Sequence, residues 1–155
     1  MLRAVIVQGG TMDILTSVPV RVKGPESIAD VLESVRERVS RRAYDNFVQR
    51  GGAHGHDLND WLDAERELLI KPTPIVSAEG EDVFVEMNLP EIDLPNLTVH
   101  VAPSQLVISS DLIEECLQVF QVIDLPMEVS LDGVDAEQLR STLRVTAAIA
   151  QSAAV

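Results

Sequence analysis

The sequence is poor in aromatic side chains and in cysteine, and its second half is almost without basic residues. Five aromatics in 155 residues (one Trp, one Tyr, three Phe) mean that any core must be built from Val, Leu, Ile and Ala. The single cysteine, Cys116, excludes a disulfide within the chain and suits a reducing compartment. No apolar run approaches the ~18–20 residues that span a bilayer, and the apolar patch in Met1–Gly9 is too short for a signal peptide. The expected location is therefore cytoplasmic. No G-x-S-x-G, phosphate-binding loop or dinucleotide fingerprint occurs, so nothing points to an enzyme, to a nucleotide or to another cofactor.

A hydrophobic content of 46% exceeds that of a disordered chain and allows a packed core. The formal charge is −13, from twelve Lys and Arg against twenty-five Asp and Glu. It is unevenly spread. Residues 1–72 hold ten bases and eleven acids, for a net −1, whereas residues 73–155 hold only Arg140 and Arg144 against fourteen acids, for a net −12. Such a second half repels nucleic-acid phosphates and anionic lipid alike, so neither is expected as a partner. The bases Arg36, Arg38, Arg41 and Arg42 lie among Glu33, Glu37 and Asp45, the pattern of a solvated, salt-bridged helix face.

Hydrophobic period separates the same two parts. Ala4–Val7 and Val18–Val22 are β-branched enough for short strands in an extended arm, residues 1–23. Gly24-Pro25-Glu26 opens a helix, with Pro at a first helical position and acids in the first turn. Ile28, Val31, Leu32, Val35, Val39, Ala43 and Phe47 follow at helical spacing, and Gly51-Gly52 ends the run after Arg50. This predicts about 26 residues, or ~39 Å of helix. Asp57 is placed to cap a second helix whose apolar face is Leu58, Trp61, Leu62, Leu68 and Leu69. The expected product is an antiparallel helical hairpin, residues 24–71, locked by Tyr44, Phe47 and Trp61.

The run from Arg42-Ala-Tyr44 through Arg50-Gly51, Asp60-Trp61 and Ala64-Glu-Arg-Glu-Leu68 resembles a short bacterial domain of unknown function. That resemblance carries no assigned chemistry.

From Pro72 the period becomes two. Val83, Val85, Met87 and Leu89 alternate with Phe84, Glu86 and Asn88; Leu97, Val99 and Val101 alternate with Thr98 and His100. Leu106 and Ile108, then Val119 to Leu125, then Leu143 and Val145 continue the pattern. Turn signals fall at Glu79–Asp82, Leu94-Pro95-Asn96, Ala102-Pro103-Ser104 and Leu131-Asp132-Gly133. Six to eight short strands at this spacing predict an antiparallel β-sandwich over residues 72–148, followed by a flexible tail, 149–155.

The order of these pieces resembles the small heat-shock protein, or α-crystallin, domain. Asp82–Pro90 resembles that family's strand ending in Leu-Pro, Leu97–Val101 its next strand, and Leu106–Ser109 its L-x-I strand. Phe120–Pro126 resembles its F-x-x-x-x-L-P strand, and Val134–Val145 its closing A-x-x-x-x-G-V-L-x-I. The resemblance implies a mainly β, immunoglobulin-like sandwich of α-crystallin type behind the helical hairpin. It further implies an ATP-independent, chaperone-like activity toward partly unfolded clients. Binding would occur in an apolar sheet-edge groove between Leu97–Val101 and Val134–Leu139, with Leu97, Val99, Val101, Ala136 and Leu139 as its residues. For each of these, ordinary sandwich core is the competing reading.

The chain departs from the family pattern in places that bear on assembly. Ser141 replaces the Gly before V-L, and Gln121 or Val122 stands where an Arg is usual. Only Ser110–Val119 connects two strands where bacterial members carry a longer loop with a strand exchanged between subunits. The tail Ala147–Val155 lacks an Ile-x-Ile anchor. A homodimer built through helices or an edge strand, without exchange, is the expectation. The alternative function is a scaffold or adaptor whose helical hairpin docks a specific protein.

One cluster resembles metal ligands: His54-Gly-His56-Asp57 with Asp60 near and His100 far away. Two histidines on a glycine-rich loop fall short of the three or four ligands that zinc requires, so no metal is expected. Cys116 has no basic neighbour in sequence to activate it and reads as a buried structural thiol.

Overall fold

The computed structural model describes residues 3–6, 14–52, 54–90, 96–114 and 116–150. Val7, the Leu94-Pro95 turn, Glu115 and residues 151–155 of the expected tail lie outside them. Among the described residues the chain order is β1 (Arg3–Ile6), β2 (Ile14–Pro19), β3 (Arg21–Lys23), α1 (Ile28–Gln49), α2 (Asp57–Leu68), β4 (Leu69–Ile70) and β5 (Pro74–Glu79). It continues with β6 (Asp82–Asn88), β7 (Leu97–Ala102), β8 (Gln105–Ser110), β9 (Gln118–Asp124), β10 (Asp135–Leu139) and β11 (Thr142–Ala148).

The period-two segments pack as two facing sheets, ordered β1-β2-β10-β11-β6-β5 and β3-β7-β8-β9-β4. Alternate residues point inward, so Val83, Val85 and Met87 meet Leu97, Val99, Val101, Leu106, Ile108, Val119, Ile123, Leu143 and Val145 in one aliphatic core. The fold is the expected mainly β sandwich. Its sheets are not purely antiparallel, however: β3 runs parallel to β7, and β4 parallel to β9. Both parallel strands come from the segment before the sandwich and run along the two edges of one sheet.

The opposite face of that sheet carries the helices. Val107 of β8 and Phe120 of β9 point outward and share a second core with Ile28, Val35 and Val39 of α1 and Ala64, Leu68 and Leu69. Residues 24–71 therefore form a third layer joined to the sheet by a common core, with β4 continuing α2 directly into it.

Helix α1 spans 22 residues rather than about 26, because Pro25–Ser27 form a 3-10 turn ahead of it. At its other end Gly51 N–H bonds the Val48 carbonyl at 3.1 Å and Gly52 N–H the Phe47 carbonyl at 2.9 Å, with both glycines at positive φ. This is a Schellman ending of the kind Gly51-Gly52 predicts.

Helix α2 departs from expectation in two respects. Its N-cap position is His56, without a side-chain cap, and Asp57 is the first helical residue, beside Asp60 in the first turn. Its buried stripe is Asp60, Ala64 and Leu68, with Trp61 half-buried, whereas Leu58 (68% exposed) and Leu62 face solvent. The stripe is rotated because a paired carboxylate, not a leucine, occupies its first position.

The tight connection between β10 and β11 explains how Ser141 is tolerated in place of glycine. Leu139 pairs with Thr142, so Arg140 and Ser141 form a two-residue loop, and it is Arg140 that adopts the left-handed conformation, at φ 57°. The start of the expected tail belongs to the fold. Ile149 bridges Val129 and bonds the Glu81 carbonyl at 2.8 Å, and Ala150 N–H bonds the Glu128 carbonyl at 2.9 Å.

Candidate groove and its surroundings

The two strands predicted to flank a groove sit at facing edges of opposite sheets. Leu97, Val99 and Val101 of β7 and Ala136 of β10 are buried and point into the sandwich core; Leu139 is half-buried. Leu97, Val99, Val101 and Ala136 are thus sandwich core, the competing reading, whereas Leu139 lies outside that cluster.

The edges are not open, contrary to the sequence expectation. The chain's own arm lies along both. Arg21, Val22 and Lys23 of β3 stand in parallel register with Thr98, Val99 and His100 of β7. Val18 and Pro19 of β2 oppose Gln138 and Glu137 of β10. Between these stretches Val20 N–H donates to the Ala136 carbonyl at 2.9 Å, and the Val20 side chain packs against the sandwich core. Pairing with an edge strand satisfies backbone groups that the edge otherwise exposes. A cavity of about 390 Å³ remains beside the arm, bounded by Val18–Arg21, Asn96, Leu97 and Gln138.

The root of the arm is fixed by a partly buried polar network invisible in the sequence. Ser27 Oγ lies 2.7 Å from His100 Nδ1 and donates to the Gly24 carbonyl at 2.7 Å, and His100 Nε2 lies 3.0 Å from Ser109 Oγ. With the Ser27 proton given to Gly24, Nδ1–H donates to Ser27, while the Ser109 hydroxyl can either donate to Nε2 or accept from it. Burial, and secondarily the charge of Lys23, pull the His100 pKa below the ordinary histidine value. Through His100 these bonds join Ser27, just ahead of α1, to β7 and β8.

The other singled-out residues disperse. Tyr44 is 59% exposed, so it does not lock the hairpin. Phe47 is half-buried and packs at 6.1 Å from Tyr44 and 5.6 Å from the His54 ring, with the Arg50 guanidinium 5.4 Å from its centroid. Trp61 instead joins the core beneath the helices. The arginine face is not the expected set of pairs with Glu33, Glu37 and Asp45. Arg38 donates to Gln118 Oε1 and the Cys116 carbonyl, and Arg42 pairs with Glu67 of α2 at 3.3 Å.

Cys116 is exposed rather than buried, because the Ser110–Val119 connection is a tight turn closed by an Ile113–Leu117 bridge. Among the described residues no group of three His, Cys, Asp or Glu is placed to hold a metal. Also among them, no helix is long and apolar enough to cross a membrane.

Residues 34–70 match the family described as a protein of unknown function, DUF2934. No curated protein matches the chain. Among solved structures the chain is similar to heat shock protein 16.0 from Schizosaccharomyces pombe, at 19% identity and a TM-score of 0.46 over 56% of this chain and 93% of that one. It is similar to HSP18.5 from E. histolytica, at 19% identity and a TM-score of 0.45 over 56% and 95%. An A102D mutant of hsp14.1 from Sulfolobus solfataricus P2 gives 18% identity and a TM-score of 0.47 over 72% and 95%.

Proposed function

We propose that the chain is an ATP-independent, chaperone-like protein that holds extended segments of partly unfolded clients along the seam between β7 and β10. One observation carries this reading. The seam already binds an extended segment, Val18–Lys23, by main-chain pairing to both edges, with Val20 seated on the core. Main-chain pairing tolerates many sequences, as a chaperone requires, while apolar seats favour the side chains that unfolding exposes. The acidic sandwich keeps such complexes dispersed by charge repulsion.

The protein acts as a symmetric dimer in this reading. The edge of β5 pairs only with β6 among the described strands, and its Ile75 is 66% exposed. Light scattering at physiological salt tests this; a stable particle of twelve or more subunits refutes it.

The functional test is suppression of aggregation of a heat-labile protein, without nucleotide, at ratios near one subunit per client. Absence of suppression refutes the chaperone reading. It would favour the alternative, an adaptor that docks a protein partner through exposed Tyr44, Val48, Leu58 and Leu62 of the helical layer.

A further inference from the structure

We propose that the face of α1 turned toward the β8–β9 connection binds a phosphoryl group, carried by a small phosphate ester or by inorganic phosphate, through Arg38, Arg41 and Arg42. The site lies beside β9 and β4, at the other edge of the sheet from β3 and β7, and is independent of what the seam holds.

The first support is a cavity. Arg38, Arg41, Arg42 and Asp45 fall at i, i+3, i+4 and i+7 of α1, so helical geometry lines them along one face. Leu69 stands beside Gln118 in the β4–β9 register, which brings the end of α2 and the Cys116 turn up to that face. Between them lies a cavity of about 310 Å³, lined by the three arginines, Asp45, Leu68 and Cys116.

The second is unbalanced charge. Arg38 is half-buried and gives its two terminal nitrogens to neutral oxygens, Gln118 Oε1 and the Cys116 carbonyl. Among the described residues no carboxylate lies within ion-pair distance of Arg38 or of Arg41. Arg42 shares its charge with Glu67 at 3.3 Å, and Asp45 is the single acid of the lining. Cations thus gather without matching acids on a chain whose net charge is −13. Burial pulls the Arg38 pKa below the ordinary arginine value, with the Cys116 thiol opposing. An entering anion relieves that cost.

The third is the form of the donors. Guanidinium groups present planar forks of N–H groups that match phosphoryl oxygens. Arg38 is already held by β9 and the turn, so little side-chain freedom is lost on binding. One fork satisfies a carboxylate; several converging arginines suit a dianion with oxygens on several sides. All of the lining but Cys116 belongs to residues 34–70, the segment that matches DUF2934, so the inference gives that segment a chemistry.

The test titrates phenyl phosphate and inorganic phosphate into the full chain at constant ionic strength. A pH of about 7.5 keeps the phosphoryl group a dianion, its second pKa being about 6. Binding is read by phosphorus NMR. Cys116, the only thiol in the chain, reports the place: phosphate should slow its alkylation by neutral iodoacetamide saturably, at the concentrations that saturate the NMR change. Arg41→Gln alters an exposed residue that holds nothing else in place, and should weaken binding about tenfold, as loss of a charge-assisted bond does. Arg36→Gln makes the same charge change on the same helix outside the cavity and should leave binding unchanged. Benzoate should bind about tenfold more weakly than phenyl phosphate.

Tighter binding of phenyl phosphate supports an ester as ligand, and equal or tighter binding of inorganic phosphate supports the bare ion. Absence of saturable binding overturns the site. So does equal weakening by Arg36→Gln and Arg41→Gln, because a diffuse field then acts in place of a cavity. Binding that leaves the alkylation of Cys116 unchanged places the phosphate elsewhere and overturns the site as well. Benzoate that binds as tightly as phenyl phosphate overturns the phosphoryl preference.

Discussion

The Arg50 guanidinium grips the Asp60 carboxylate with two bonds, Nε to Oδ1 at 2.9 Å and Nη2 to Oδ2 at 2.6 Å. The pair joins the end of α1 to the first turn of α2 and closes the hairpin. The planar fork of Arg fits a carboxylate edge-on, and the acid sits favourably near the positive end of the α2 dipole. Asp60 can therefore occupy the buried stripe of α2, and the leucines at 58 and 62 are turned outward.

Acid should expose this pair. The bond to Arg50 holds the Asp60 carboxyl below the ordinary aspartate range, against the opposing effect of desolvation. A depressed folded pKa stabilises the protein above the unfolded value, near pH 4, and that gain is lost as pH falls through the folded value. Asp60→Asn should unfold more readily than the parent at pH 7 and converge with it in strong acid. Arg50→Lys should not restore the parent, because a point charge cannot make both bonds. Denaturant midpoints across pH 2–7 (a range chosen about the aspartate value) check this, and equal midpoints at neutral pH contradict it.

His100 should act at higher pH and in the same direction. Its pKa is pulled down by burial and then by Lys23, so the unfolded chain binds the proton first. Stability should fall as pH drops below about 6.5 and level off beneath the folded pKa. His100→Asn should lower stability at neutral pH but flatten this limb. A parent whose midpoint is unchanged from about pH 8 to 5 contradicts a buried neutral imidazole.

The left-handed Arg140 should be a removable strain. Arg140→Gly relieves the Cβ clash at φ 57° and should raise stability by about 0.5–1 kcal/mol, even after the added freedom of the unfolded chain. Thermal midpoints measure this directly.

The rotated face of α2 gives a paired comparison. Leu68→Ala removes a buried contact between the helices and the sheet and should cost about 2–5 kcal/mol. Leu58→Ala should stay within about 0.5 kcal/mol, as exposed substitutions do. The reverse order would mean that Leu58 and Leu62 form the packed face.

Most local signals were legible in the sequence, the Asp57 cap of α2 being the exception. The change of period at Pro72 falls just after α2 gives way to β4, because side-chain direction repeats every two residues in a strand and every 3.6 in a helix. Gly51-Gly52 ends α1 because only glycine adopts consecutive positive φ at low cost. Alternation also identified the inward residues of β6, β7 and β11. Leu58 and Leu62 misled because helical spacing gives two candidate faces, and the choice depended on Arg50 reaching Asp60 from another helix.

By itself, then, the sequence determined the strands of the sandwich with their inward faces and the existence of the two helices, since chain sterics and the water-aversion of Val, Leu and Ile act residue by residue. Only the tertiary structure decided what lies against what. The Val20–Ala136 bond, the Ser27–His100 clamp and the cover of Val107 and Phe120 by α1 each join segments far apart in the chain. Backbone donors and acceptors are alike at every residue but proline, so main-chain pairing alone does not name β7 and β10 as the partners of Val18–Lys23. That choice follows from where the folded sheets leave two unpaired edges within reach of one short arm.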